Sequence, residues 1–138
     1  MDVERAIFDK IRFYDHVSFA ELEKLVDDSY IDEKEDHVFQ SDTYKNVIFW
    51  ISRKKIIIDS IMNLIRDNKI KCNATSSFVY LIDGAMLNLP LVKSSMSYKK
   101  PRWCPVTLSP TEKYKVSLDE MKQYNINDYE NKIKGILG

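Results

Sequence analysis

The chain has 138 residues, with Lys plus Arg and Asp plus Glu at 21 each, apolar residues at 44% and aromatic residues at 12%. That is the size of one domain, able to bury roughly two thirds of the surface it exposes when unfolded, and its composition lies far from that of disordered chains. Zero net charge excludes a global pull toward nucleic acid or anionic membrane, so any such attraction must be local.

Val3, Ile7, Ile11 and Tyr14 recur at three- and four-residue steps, which predicts a first amphipathic helix over residues 3–14. Ser18 with Glu21 can close a capping box and Val17 with Leu22 a hydrophobic staple, so a second helix is expected over residues 19–26. Apolar periodicity then stops. Asp27, Asp28, Asp32, Glu33, Glu35 and Asp36 crowd one stretch, and residues 28–43 read as an acidic surface loop that either solubilises the chain or docks a basic partner. Val47, Ile48, Phe49, Trp50 and Ile51 form a short buried strand or the lead-in to the next helix, a choice that periodicity leaves open.

Ser52 is a candidate N-cap for a central helix over residues 53–67, whose Ile57, Ile61, Leu64 and Ile65 form one face, widened by Ile56, Ile58 and Met62. Asn68 can end it, because Asn tolerates the left-handed conformation just past a helix. Residues 70–73 and 78–83 then read as two strands around a hydroxyl-rich turn, Thr75-Ser76-Ser77, with Gly84 closing the second. Beyond Gly84, Met86, Leu87, Leu89, Leu91 and Val92 are interrupted by Pro90, which favours a helical turn or edge strand. Residues 94–102 are polar and basic, residues 103–108 form a candidate strand between Pro101 and Pro110, and Ser117 with Glu120 and Asn127 with Glu130 each start a short terminal helix.

Several function classes are excluded or left without candidates. Cys72 and Cys104 are too few for a disulfide scaffold and are not in a C-x-x-C arrangement, so they read as reduced thiols in a cytosolic protein. The charged N-terminus has no apolar run behind it, which predicts no secretory signal, and no stretch approaches the ~18 apolar residues of a membrane span. The only histidines, His16 and His37, pair with no nucleophile in the sequence. His37 with Asp32, Glu35 and Asp36 matches no closed zinc or calcium spacing, and no metal is expected there. Neither a G-x-x-x-x-G-K nor a G-x-G-x-x-G occurs, so nucleotide binding by those loops is excluded and no cofactor is expected. The expectation is a protein that is not an enzyme.

Two basic groups point to binding instead. Arg53, Lys54 and Lys55 fall in the first turn of the expected central helix, where the macrodipole disfavours cations by some tenths of a kcal/mol each. A phosphate or an acidic partner would turn that conflict into attraction; otherwise the three side chains simply extend into water. Lys93, Lys99, Lys100 and Arg102 are interleaved with Tyr98 and Trp103, a mixture suited to phosphate contacts and stacking on bases, or to a solvated loop beside a core tryptophan.

The order of two helices, a central helix and a hairpin, with residues 57–70 (IIDSIMNLIRDNKI) at its centre, resembles winged helix-turn-helix domains. The resemblance covers residues 3–84 and implies a recognition helix with Arg53, Lys54 and Lys55 near the end that approaches the groove, and residues 75–77 at the wing tip. Two features depart from the family pattern: about two dozen residues separate Val26 from Arg53, and the wing tip carries no Arg or Lys. The expected fold is therefore α+β, a single domain over 1–138, with a winged-helix-like core and a C-terminal extension of short strands and helices over 85–138. The expected function is a non-enzymatic binding protein of the kind found in small bacterial or phage regulators, contacting DNA through Arg53, Lys54, Lys55, Tyr98, Lys99, Lys100 and Arg102. The alternative is a protein-interaction module that uses the acidic residues Asp27 to Asp36 as a docking strip, and the third reading is an enzyme built on a pair of carboxylates that no sequence feature nominates.

Overall fold

The computed structural model describes residues 2–123. Asp2 caps the first helix, α1 (Val3–Tyr14), by accepting a hydrogen bond from the Arg5 amide at 3.0 Å, and Val3, Ala6, Ile7 and Ile11 form its buried stripe. Asp15 and His16, with φ of 53° and 45°, reverse the chain into the two-residue strand β1 (Val17–Ser18). The capping box then starts α2 (Phe19–Leu25): Ser18 Oγ accepts from the Glu21 amide at 3.2 Å, and the Ser18 amide donates to the Glu21 carboxylate at 3.0 Å.

Residues 28–43 are not a featureless loop. They contain a 3-10 turn (Asp28–Tyr30) and a strand, β2 (His37–Gln40), which pairs antiparallel with β3 (Val47–Ser52) across a bulge at Phe39/Gln40. The apolar run 47–51 is thereby a strand, buried at Val47, Ile48 and Trp50. The central helix, α3 (Lys55–Arg66), begins two residues later than expected: Lys54 occupies the N-cap position, and Ser52 ends β3, its hydroxyl accepting from the Lys54 amide at 2.9 Å. Ile57, Ile58, Ser60, Ile61 and Leu64 face the core, while Met62 points outward at 52% exposure, so the apolar face is narrower than its composition suggests. Asn68 adopts the left-handed conformation that ends the helix, φ 56°.

The expected hairpin is not formed. β4 (Ile70–Ala74) is followed by a helix, α4 (Ser77–Asp83), in place of a second strand. Ser76 accepts from the Phe78 amide at 3.1 Å, and Gly84 at φ 89° donates its amide to the Tyr80 carbonyl, so the residues read as a turn and a strand end are the two caps of this helix. β4 pairs instead with β6 (Val106–Pro110), whose other edge receives β1. The strand expected over residues 103–108 is divided in two: β5 (Arg102–Trp103) runs parallel to β3, and the chain turns at Pro105 into β6. Residues 86–92 carry no regular element beyond a bridge from Leu91 to Trp103. After a 3-10 turn at Glu112–Tyr114, α5 (Leu118–Gln123) starts with the expected cap, the Glu120 amide donating to Ser117 Oγ at 3.1 Å. The expected helix start at Asn127 and Glu130 lies outside the described residues.

The fold is α+β, built on two three-stranded sheets in the orders β1-β6-β4 and β2-β3-β5. α3 packs on both sheets, and α1 lies against α3 and β6. Between them Phe19 stacks on Trp50 at 5.8 Å, Trp50 meets Tyr80 at 5.2 Å, and Tyr80 meets Trp103 edge-on at 5.0 Å. The polar atoms of these rings are satisfied: Trp103 Nε1 donates to the Phe49 carbonyl and Trp50 Nε1 to the Glu23 carboxylate, both at 3.1 Å, and the Tyr80 hydroxyl donates to the Val106 carbonyl at 2.6 Å. Each such buried ring adds about 1.5–3 kcal/mol of apolar burial. Among the described residues no helix is long and apolar enough to cross a membrane.

Candidate functional site

β3 sets the geometry of the charged groups. Its six residues, at about 3.3 Å each, hold two loop clusters about 20 Å apart. At the Val47 end, the turn between β2 and β3 is fastened to the basic loop that precedes β5. The Lys45 amide donates to Ser97 Oγ at 3.0 Å, the Tyr98 amide to the Lys45 carbonyl at 3.0 Å, the Asn46 side chain to the Tyr98 carbonyl at 2.9 Å, and the Arg102 amide to the Asn46 carbonyl at 2.9 Å. Asn46 makes the close approach by adopting a left-handed conformation, φ 62°.

Tyr98 organises this cluster. Its hydroxyl accepts from the amides of Ser94 and Lys93 and donates to the Ser94 carbonyl, contacts of 3.0–3.1 Å. The Ser94 amide first, then the Lys93 amide and the Arg102 guanidinium, hold this phenol below its ordinary pKa. Arg102 lies over the Tyr98 ring at 4.8 Å and donates to the Leu91 carbonyl at 3.1 Å. The side chains of Lys45, Lys93, Lys99 and Lys100 are exposed around this frame. Two loops distant in sequence therefore bring Lys45, Lys93, Lys99, Lys100 and Arg102 to one end of the sheet, with Asp42 as the nearby acid in the same turn. Tyr98 is a structural member of the cluster, its hydroxyl committed within the loop.

The other expected basic group is not part of it. At the Ser52 end of β3, Lys54 is buried at 5% exposure; its ammonium donates to the carbonyls of Glu23 at 2.7 Å and Val26 at 2.6 Å and pairs with Asp28 at 3.1 Å. Lys55 pairs with Asp59 at 2.7 Å, which with the more distant Glu35 and Asp32 raises its pKa. Arg53 is exposed, but its carbonyl accepts from the Asp32 amide at 2.6 Å, tying it to the acidic segment. The positively charged helix start expected over residues 53–55 is thus compensated by Asp28, Asp32, Glu35 and Asp59, and Lys54 is unavailable to any ligand. Among the acidic residues, Asp27 accepts from the Ser29 amide at 2.7 Å and Asp32 from the Lys34 amide at 2.9 Å, each contact lowering the carboxyl pKa, while Glu33, Glu35 and Asp36 are exposed.

Lys45 and Asn46 escaped sequence reasoning, because their role depends on the pairing of β2 with β3. So did a surface on α4, where Phe78, Leu81 and Ile82 stand 62%, 58% and 71% exposed. Burial pushes the Cys72 thiol up to about 11 and raises Cys104 as well, which disfavours the thiolate form of each. His16 Nδ1 lies 3.5 Å from the buried Thr107 hydroxyl and its Nε2 3.9 Å from Asp15. No protein-family model matches the chain, and neither does any curated protein or solved structure.

Proposed function

We propose that this is a non-enzymatic binding protein that contacts the phosphate backbone of nucleic acid through the basic end of the β2-β3-β5 sheet. One observation carries the reading: Lys45, Lys93, Lys99, Lys100 and Arg102 are drawn to one end of the molecule by cross-loop hydrogen bonds, while the acidic segment lies at the other end of β3. A chain of zero net charge can bind a polyanion when its charges are separated in this way, because the field near one end is that of the local cations and the Debye length at 0.15 M salt is only about 8 Å. The winged-helix resemblance contributes the order of α1, α2 and α3, but the contact surface in this reading lies away from the start of α3.

Fluorescence anisotropy with a labelled duplex and a labelled single strand, over a range of salt, tests the proposal. Binding at low salt is expected, with the logarithm of affinity falling linearly in log salt at a slope of about 0.7–0.9 per neutralised phosphate. Changing Lys45, Lys93, Lys99 and Lys100 together to Ala should flatten that slope and weaken binding at least about tenfold, whereas Arg53→Ala with Lys55→Ala should change neither. Failure to bind either probe at low salt would overturn the reading, as would an equal loss from the Arg53 and Lys55 changes.

A second reading, a protein-interaction module, is favoured by α4: three large apolar side chains exposed on one seven-residue helix are unusual for a surface that contacts only water. In that reading the docking strip is Phe78, Leu81 and Ile82, with Glu33 and Asp36 as exposed acids of the acidic segment. Stoichiometric protein capture that survives nuclease treatment and is lost on Leu81→Ser with Ile82→Ser would favour it over nucleic-acid binding.

A further inference from the structure

Asp32, Glu35 and His37 converge although the sequence contains no recognised metal-binding spacing. One ligand atom from each, two carboxylate oxygens and an imidazole nitrogen, lie within 4.8 Å of one another. We propose that these three residues form an open site for one divalent transition-metal ion, at the opposite end of β3 from the proposed nucleic-acid surface.

Two of the three donors are already held in place. His37 begins β2 opposite Ser52, and its side chain is only 12% exposed, which fixes the imidazole against the protein. The Asp32 amide is tied to the Arg53 carbonyl at 2.6 Å, and its two carboxylate oxygens are divided: Oδ1 accepts from the Lys34 amide at 2.9 Å, leaving Oδ2 at 2.8 Å from His37 Nε2. Oδ2 and Nε2 share a hydrogen bond, so an ion would take the place of the proton between them, while the Lys34 amide on the other oxygen keeps the carboxylate oriented. Glu35, the third donor, is exposed and able to swing. Donors bonded at about 2.1 Å to a common tetrahedral ion sit about 3.4 Å apart, so Asp32 and His37, now 2.8 Å apart, would separate slightly while Glu35 closes in.

The 2.8 Å contact accounts for Asp32 beside His37, and Glu35 adds a second carboxylate to the same imidazole. Lys55 is near enough to interact with both Asp32 and Glu35, but its ammonium pairs with Asp59 at 2.7 Å. A divalent ion would neutralise both carboxylates directly. One nitrogen and two oxygens suit zinc, cobalt, manganese or ferrous iron better than calcium, which takes oxygen donors, or cuprous copper, which takes sulfur. Three protein ligands leave remaining positions to water, so the site is open, and the bound ion would clip the acidic segment to the start of β2.

The probes are cobalt(II) and zinc(II) added separately to the chelator-treated 138-residue chain, followed by calorimetry, cobalt absorption and thermal unfolding. The expected result is one saturable ion per chain, a cobalt spectrum without a thiolate charge-transfer band, and a raised Tm in the presence of ion. Glu35→Gln and His37→Ala should each weaken binding at least about tenfold. Because Glu35 is exposed, its variant should keep the wild-type circular dichroism spectrum, which keeps the test decisive even if His37→Ala perturbs β2. The change Glu33→Gln removes an equal charge from the same segment and should leave binding intact. Absence of saturable uptake at millimolar ion would overturn the site. Equal weakening by Glu33→Gln would do so too, since it would mean diffuse attraction to the acidic segment, and so would loss of uptake on Cys72→Ser. None of these results depends on whether nucleic acid binds.

Discussion

A buried ammonium is the most consequential single group in the molecule. Lys54 reaches the carbonyls of Glu23 and Val26 at the end of α2, where the backbone acceptors of the last turn have no partners within the helix and the macrodipole is negative. It therefore acts as a cation cap from the far side of the chain, with Asp28 balancing its charge at 3.1 Å. Lys54→Ala should destabilise the fold by about 2–4 kcal/mol, because charged hydrogen bonds are lost and two carbonyls are left without this donor. Lys54→Met should recover packing but not those bonds. Urea denaturation gives the stability, and the same variants, kept folded at low urea, should bind nucleic acid as the wild type does. A variant that bound more weakly at unchanged stability would refute this assignment and return Lys54 to the binding surface. The sequence shows a cationic start to α3 and a local conflict with the helix dipole, but the carbonyls that hold Lys54 lie some thirty positions upstream, where no local pattern can connect them.

At the scale of the element, α4 shows how a tertiary contact can decide a conformation that composition leaves ambiguous. Phe78, Val79, Tyr80, Leu81 and Ile82 are β-prone by residue type, and seven residues are too few for a helical period to stand out from a strand. Both caps are nevertheless present in the sequence, Ser76 and Gly84, and they were visible as turn residues. What selects the helix is Tyr80, fully buried, whose hydroxyl accepts from the Phe19 amide at 3.1 Å and donates to the Val106 carbonyl at 2.6 Å, joining the start of α2 to the start of β6. Tyr80→Phe should destabilise the protein by about 1–3 kcal/mol, since it leaves a buried donor and acceptor without that oxygen. Phe78→Ser, Leu81→Ser and Ile82→Ser should each stay within about 0.5 kcal/mol of wild type, as expected of exposed positions. Thermal or urea unfolding of the four variants separates the inward residue from the outward ones. A large loss at Leu81 or Ile82 would mean that the surface of α4 is covered in solution.

For the whole molecule, the decisive fact is that the C-terminal part supplies the middle of the structure. β6 is the central strand of its sheet, pairing Leu108 with both Val17 and Cys72, and Trp103 is 1% exposed within the aromatic core. The sequence was informative where interactions are local: α1, the Ser18 capping box, the end of α3 at Asn68 and the Ser117 cap all follow from neighbours within four residues. It was silent on β6, because a strand finds its partners through loop closures that leave no periodic mark. The charge balance was equally opaque, since equal totals of acid and base say nothing of their separation along β3. A fragment ending at Gly84, which contains the whole region of winged-helix resemblance, keeps α1, α2 and α3 but loses β5 and β6. β1 and β4 are then left without partners, and Phe19, Trp50 and Tyr80 are stripped of Trp103, Val106 and Leu108. With stability of a domain this size only about 5–15 kcal/mol, removal of several fully buried side chains at about 1.5–3 kcal/mol each exhausts it. The fragment should show no cooperative thermal transition and no dispersed amide spectrum, while the full chain shows both. A cooperative transition in the fragment would establish residues 3–84 as an autonomous unit and make the rest of the chain an appendage to it.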